Sequence, residues 1–146
     1  MAMNRSGQWW TGDSPSDLDE YVTMFSSQTY TAQKVVHAAC ASCGSDSFTV
    51  TFDEEEGCAV RTCASCGDAK ALLDSDEYLD DATLEGAECP CGGSVFNTAV
   101  GFAFYADSSD VRWVYLALRC TEDGVLGCYA DWKIDYAPSG HLLQAV

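Results

Sequence analysis

Cys40-Ala-Ser-Cys43-Gly44 recurs as Cys63-Ala-Ser-Cys66-Gly67, and two related half-sites follow, Cys89-Pro-Cys91-Gly92 and Cys120-Thr-Glu-Asp123-Gly124. This spacing constrains the fold more than any other feature of the chain. Two thiolates on a CxxC turn converge on one metal ion, and the following Gly accepts the left-handed backbone that lets the chain turn away. Cys40, Cys43, Cys63 and Cys66 therefore read as a complete four-thiolate centre. Such a centre leaves no open coordination position, so its metal is structural and not catalytic.

The second centre is incomplete by the same rule. Cys89, Cys91 and Cys120 supply three thiolates, and the repeat places Asp123 where the fourth should stand. Thiolate is the softer zinc ligand, so ligand preference favours Cys128, while position in the repeat favours Asp123. Cys58 stands alone and reads as a small buried hydrophobe. His37 and His141 have no partners at ligand spacing.

Strand and turn signals surround these turns. Ser14-Pro15-Ser16-Asp17 opens a helix, with Ser14 as cap, Pro15 at the first helical position and Asp17 as capping-box acid. Leu18, Tyr21, Val22 and Phe25 form its apolar stripe, expected to cover the first metal-bearing unit. Residues 1–13 read as an arm whose Trp9 and Trp10 cap a small core. Short strands are expected at Val35–Ala39, Ser47–Phe52, Cys58–Thr62 and Ala69–Leu73, with Asp53–Gly57 as a hairpin turn. Asp74–Glu88 is acidic, with a short helix near Glu77–Leu84. Asp74, Asp76 and Glu85 imitate a calcium loop, but Tyr78 and Leu79 occupy positions that need an oxygen ligand and Gly.

The second half repeats the first. Cys43-Gly44-x-x-x-Phe48 matches Cys91-Gly92-x-x-x-Phe96, and a longer hairpin runs over Val95–Tyr105 and Val111–Arg119. Val125–Tyr136 is a further strand-like stretch. The expected organisation is an arm and helix over 1–34, a first unit over 35–80, an acidic linker over 81–88, and a second unit over 89–146.

Charge limits the partners. Seven basic residues face 23 acidic ones, a net charge of −16, and two zinc centres of charge −2 would bring the total to about −20. That field repels phosphate backbones and attracts basic proteins. Met1–Ser6 lacks an apolar signal core and no apolar run is long enough to cross a membrane, so a cytoplasmic protein without a membrane partner is expected. There its nine cysteines would hold metal and not disulfides. Motifs for a zinc deaminase, a phosphate-binding loop, a nucleophile elbow or a zinc protease are absent.

Knuckle, hairpin, knuckle and strand resemble the zinc-ribbon superfamily over roughly residues 35 to 137, the second unit with Asp123 in place of the fourth Cys. The resemblance implies a small metal-stabilised β-rich (α+β) fold, with an N-terminal helix followed by two tandem zinc-ribbon units and two zinc ions. It implies binding, not catalysis. The expectation is a non-enzymatic protein-interaction module, with an acidic inhibitor or immunity-type protein that neutralises a basic partner as its specific form. The alternatives are a nucleic-acid-associated regulator and an iron-binding, rubredoxin-like electron carrier. Trp113, Tyr115 and Trp132, with Arg112 and Lys133 beside them, are the candidate partner-binding residues.

Overall fold

The alternation of Phe48, Val50 and Phe52 with Thr49 and Thr51 builds β2 (Ser47–Asp53), which buries Phe48 and Val50 and exposes Thr49. Asp53 turns the chain: its Oδ1 accepts the N–H groups of Glu55 and Glu56, and Gly57 takes φ +74°. β3 (Cys58–Cys63) returns antiparallel to β2, and β4 (Ala69–Ala71) adds to its far side. The longer hairpin comprises β6 (Phe96–Phe104) and β7 (Val111–Cys120), followed by β8 (Leu126–Lys133). Two short strands complete the set, β1 (Lys34–His37) and β5 (Glu85–Gly86). The computed structural model describes residues 9–134, 136 and 138–146. Residues 1–8 of the expected arm, and Asp135 in the expected last strand, lie outside the described residues.

All eight strands join one antiparallel sheet of order β4-β3-β2-β6-β7-β8, with β1 on β6 and β5 on β2. Pairing thus runs across the boundaries expected from sequence. β1, which leads into the first cysteine turn, pairs with β6 of the later hairpin. Glu85 and Gly86, from the stretch expected as a linker, pair with Phe52 and Thr51. Instead of the helix expected near 77–84, two short 3-10 turns form, Ser75–Glu77 and Leu79–Asp81.

The internal repeat becomes a spatial relation at the join of β2 and β6. The strands meet at Ser47–Asn97 and Phe48–Phe96, and Phe48 and Phe96 are the equivalent residues of the repeat. Phe48 also faces Cys63, and Phe96 faces Cys120. One row, Cys63-Phe48-Phe96-Cys120, therefore crosses four strands with a cysteine at each end. Matching backbone bonds close the two hairpins, from Ala64 N–H to Ser47 O and from Thr121 N–H to Val95 O, each 3.0 Å. Because β2 and β6 are antiparallel, the two halves are related by an approximate two-fold rotation.

Alternation gives β6–β8 two apolar faces. Phe96, Val100, Phe102, Leu116 and Leu118 point into the main core, with Phe48, Val50 and Leu72 of the earlier half. Ala99, Tyr115, Ala117 and Leu126 point the other way, toward the helix. The sheet folds over its main core: Phe52 of β2 packs edge-on against Tyr129 of β8, ring centroids 6.2 Å apart, and Gly57 abuts Trp132.

α1 (Asp17–Phe25) carries the expected stripe, with Leu18 and Val22 buried and Phe25 left half exposed. The stripe does not cover the first cysteine unit. It lies on β6–β8, where Ala99, Gly101 and Ala117 leave a shallow trough for a helix. Half of the expected capping box forms: Asp17 Oδ2 accepts the N–H groups of Asp13 and Ser14 at 2.9 and 3.2 Å. The Ser14 hydroxyl pairs with Ser16 instead of the helix backbone. Among the described residues no helix is long and apolar enough to cross a membrane.

Candidate metal centres

Each of the four cysteine turns is built by the same local bonds. In three of them the Gly N–H returns to the carbonyl of the first Cys: Gly44 to Cys40, Gly67 to Cys63 and Gly124 to Cys120, at 2.8, 2.9 and 2.9 Å. The fourth is one residue shorter, with Gly92 N–H on Cys89 O at 2.8 Å. All four glycines have positive φ, between 78° and 92°, which a side chain would resist. The turn at Cys120 thus copies those at Cys40 and Cys63, with Asp123 standing where Cys43 and Cys66 stand.

The first centre brings Cys40, Cys43, Cys63 and Cys66 together, two buried and two exposed. Cys40 Sγ lies 3.6 Å from Cys66 Sγ, and Cys43 Sγ lies 3.5 Å from Cys63 Sγ. Four thiolates about 2.3 Å from a tetrahedral zinc are about 3.8 Å apart, so the sulfurs are already near ligand spacing. The turns favour the charged form at the first thiol of each pair only: the Ser45 N–H at Cys43 and the Asp68 N–H at Cys66 are outweighed by the facing thiols and burial, which push Cys43 up and Cys66 up to about 12. The backbone N–H of Cys66, and after it that of Ser65, holds the Cys63 thiol down to about 6 against the effect of burial. The N–H of Cys43 likewise lowers Cys40.

The second centre brings together Cys89, Cys91, Cys120 and Asp123. Cys91 and Cys120 sulfurs are 3.7 Å apart, and Cys89 Sγ lies 3.4 and 3.5 Å from the two Asp123 oxygens. Burial pushes the Asp123 carboxyl up. The N–H of Val125 and the facing thiols of Cys120, Cys91 and Cys89 outweigh it and hold Asp123 below its ordinary value. Tyr129 packs edge-on against Phe96, its hydroxyl 3.5 Å from Glu88 O.

Cys128, which ligand preference favoured, lies elsewhere. It sits opposite Ala117 and packs with the helix-facing cluster, whereas Cys89 and Cys120 belong to the main core. The β7–β8 register shifts between Leu116 and Ala117, making Tyr129 the extra residue of a bulge. Ala130 and Trp132 beyond it face the main core, and Cys128 before it faces the helix. Burial, reinforced by the Asp131 and Glu54 charges, pushes the Cys128 thiol up to about 12. All nine cysteines are free thiols, and Cys58 is fully buried at the start of β3.

The partner-binding candidates separate. Arg112, Trp113 and Lys133 line one pocket with Tyr30 and Tyr105, the last two unforeseen because nothing in sequence marks them as neighbours. Tyr115 is buried, its hydroxyl on Tyr30 O at 2.8 Å. Trp132 is buried against the β2–β3 turn on the opposite face. Neither presents a surface to a partner.

A second concave surface was also not foreseen. Phe52, Asp53, Glu54, Glu55, Glu56, Asp81, Thr83 and Glu85 line a cleft of about 530 Å³. Asp53 ties its walls together: Oδ2 accepts Thr83 N–H at 2.8 Å, and Oδ1 holds the turn. The chain matches no protein-family model, no curated protein and no solved structure.

Proposed function

We propose that this protein is a non-enzymatic interaction module stapled by two structural zinc ions, and that its acidic face engages a basic protein in the manner of an inhibitor or immunity protein. The two halves are read as zinc ribbons fused through β2 and β6. Cys40, Cys43, Cys63 and Cys66 would hold one ion, and Cys89, Cys91, Cys120 and Asp123 the other. Each set supplies four donors and leaves no position for a reacting group, which supports a structural role. Zinc is preferred over iron because the carboxylate in the second set is a common zinc ligand and departs from the all-sulfur set of an electron carrier. A bound iron would colour the purified protein red.

The acidic cleft carries the partner reading. It gathers six carboxylate residues around one concavity in a chain of net charge −16. Such a field speeds encounter with a basic surface and disfavours nucleic acid. The test is parallel capture from one cell extract on the wild-type protein and on the triple variant Glu54→Lys/Glu55→Lys/Glu56→Lys. A basic protein retained by the wild type, released by moderate salt and lost from the variant is the expected result. Equal retention by both, or retention of nucleic acid in place of protein, would overturn the reading.

A further inference from the structure

We propose that the pocket at Arg112 is a binding site for a small carboxylate ligand, shaped by a bulge in β7. Tyr30, Tyr105, Arg112, Trp113 and Lys133 enclose about 300 Å³, at the lower end of small-molecule sites. The β6–β7 register shifts there: Ala103 faces Trp113, and Phe104 faces Val111, leaving Arg112 as the extra residue. A bulge re-aims the side chain it adds. In an unbroken pleat Arg112 and Trp113 would point to opposite faces; here they line the same pocket.

The site is held in shape without a ligand. The guanidinium carbon of Arg112 lies 4.0 Å from the Tyr30 ring centroid and 5.5 Å from that of Tyr105. Tyr105 donates its hydroxyl to Ile134 O at 3.1 Å, and the Trp113 indole donates to Asp131 Oδ1 at 3.2 Å. Ile134 N–H in turn donates to Arg112 O at 3.0 Å. In a chain with 23 acidic residues and seven basic ones, no carboxylate among the described residues lies within 4.0 Å of Arg112 or Lys133. Two of the few cations thus meet at one cavity with their donors unspent on any acid among the described residues.

The chemistry of the walls selects the ligand. Aromatic faces already engage the guanidinium, so the pocket is not a cage for a ligand cation. The N–H edge of Arg112 offers a planar fork that matches a carboxylate, and Lys133 adds a point charge. Tyr30 and Trp113 pack on each other, ring centroids 5.4 Å apart, and together give the pocket an apolar wall for the body attached to that carboxylate. Inorganic phosphate has no such body, and its second charge is opposed by the field of the protein. The site is independent of the acidic cleft and of the basic-partner reading.

The test titrates the zinc-loaded protein with benzoate and follows the tryptophan indole N–H resonances by NMR, with chloride at equal ionic strength as control. The expected result is a saturable shift at Trp113, weakened about tenfold or more in Arg112→Gln and reduced in Lys133→Gln, with metal content unchanged in both variants. Benzoate binding should persist in the Glu54→Lys/Glu55→Lys/Glu56→Lys variant, which separates this site from the partner reading. A shift that never saturates, equal binding in Arg112→Gln, equal affinity for inorganic phosphate, or preference for benzylammonium would each overturn the proposal.

Discussion

Asp123 occupies in its turn the place that Cys66 takes in the equivalent turn, and it faces Cys89 at hydrogen-bond distance. Asp123→Ala should therefore lower the bound metal from two ions to one by elemental analysis, and Asp123→Cys should keep it at two. Cys128→Ala should leave it at two, because that thiol lies on the helix side of β8. The first centre was legible in full, since its turns repeat with identical spacing. The fourth side chain that joins the second cluster, Asp123, was legible from position in the repeat but not from ligand softness. Softness ranks donors only among those that reach the ion, and the bulge at Tyr129 that decides reach leaves no mark in the sequence. The same reasoning separates two cysteines of β3. Cys63→Ser removes a ligand and should abolish the first centre. Cys58→Ser puts a hydroxyl into a fully buried place, costing about 1–3 kcal/mol, and should leave two metals bound; equal metal loss in the two variants would show the assignment to be wrong.

At the scale of elements, strand positions followed from alternation and β-branching, and each hairpin ran within a residue or two of its expected limits. What each element packs against did not follow. The stripe on α1 announces that a face will be covered, and only three-dimensional shape says by what. Ala99, Gly101 and Ala117 make β6 and β7 shallow where the helix docks, and Gly101 matters most. A Cβ there would lie 2.3 Å from Val22 Cγ1 and 3.2 Å from Ala32 Cβ, well inside van der Waals contact. Gly101→Ala should destabilise the protein by about 1–3 kcal/mol through overpacking and alter the near-ultraviolet dichroism from the Trp10–Tyr21 contact, with both metals retained. Gly86→Ala is the control, since nothing lies within 4 Å of the added methyl; similar losses in the two variants would mean that α1 does not pack on β6 this closely. Short strands were hardest to foresee. Glu85–Gly86 is a strand because β2 offers it an edge, and two residues carry too little periodicity to signal it.

For the whole molecule the open question is whether the halves stand alone or together. Internal duplication was visible in the cysteine and Phe spacing, and it suggested units in tandem. The sheet joins them through Phe48 and Phe96, with β1 and β5 each crossing to the other half. Neither cross-pairing is local in sequence, so neither could be read from a repeat. Structural zinc contributes on the order of 10 kcal/mol in small domains, comparable to the entire net stability of a typical fold. A strong chelator at neutral pH should accordingly collapse the strand dichroism of the wild-type protein. The more telling experiment removes only the second ion, with Asp123→Ala, and measures amide exchange in the first hairpin. Cys120 connects to Cys63 through the row Phe96-Phe48, one strand pair at a time. Losing the ion at one end should loosen that row along its length, so Phe48, Val50 and Arg61 should exchange faster although their own centre remains loaded. Independent ribbons would behave differently: β6 and β7 would lose protection while β2 and β3 kept theirs. Full protection of β2 and β3 in the one-metal variant would mean that the join at Phe48 and Phe96 transmits no stability, and the fold would then be two modules sharing an edge.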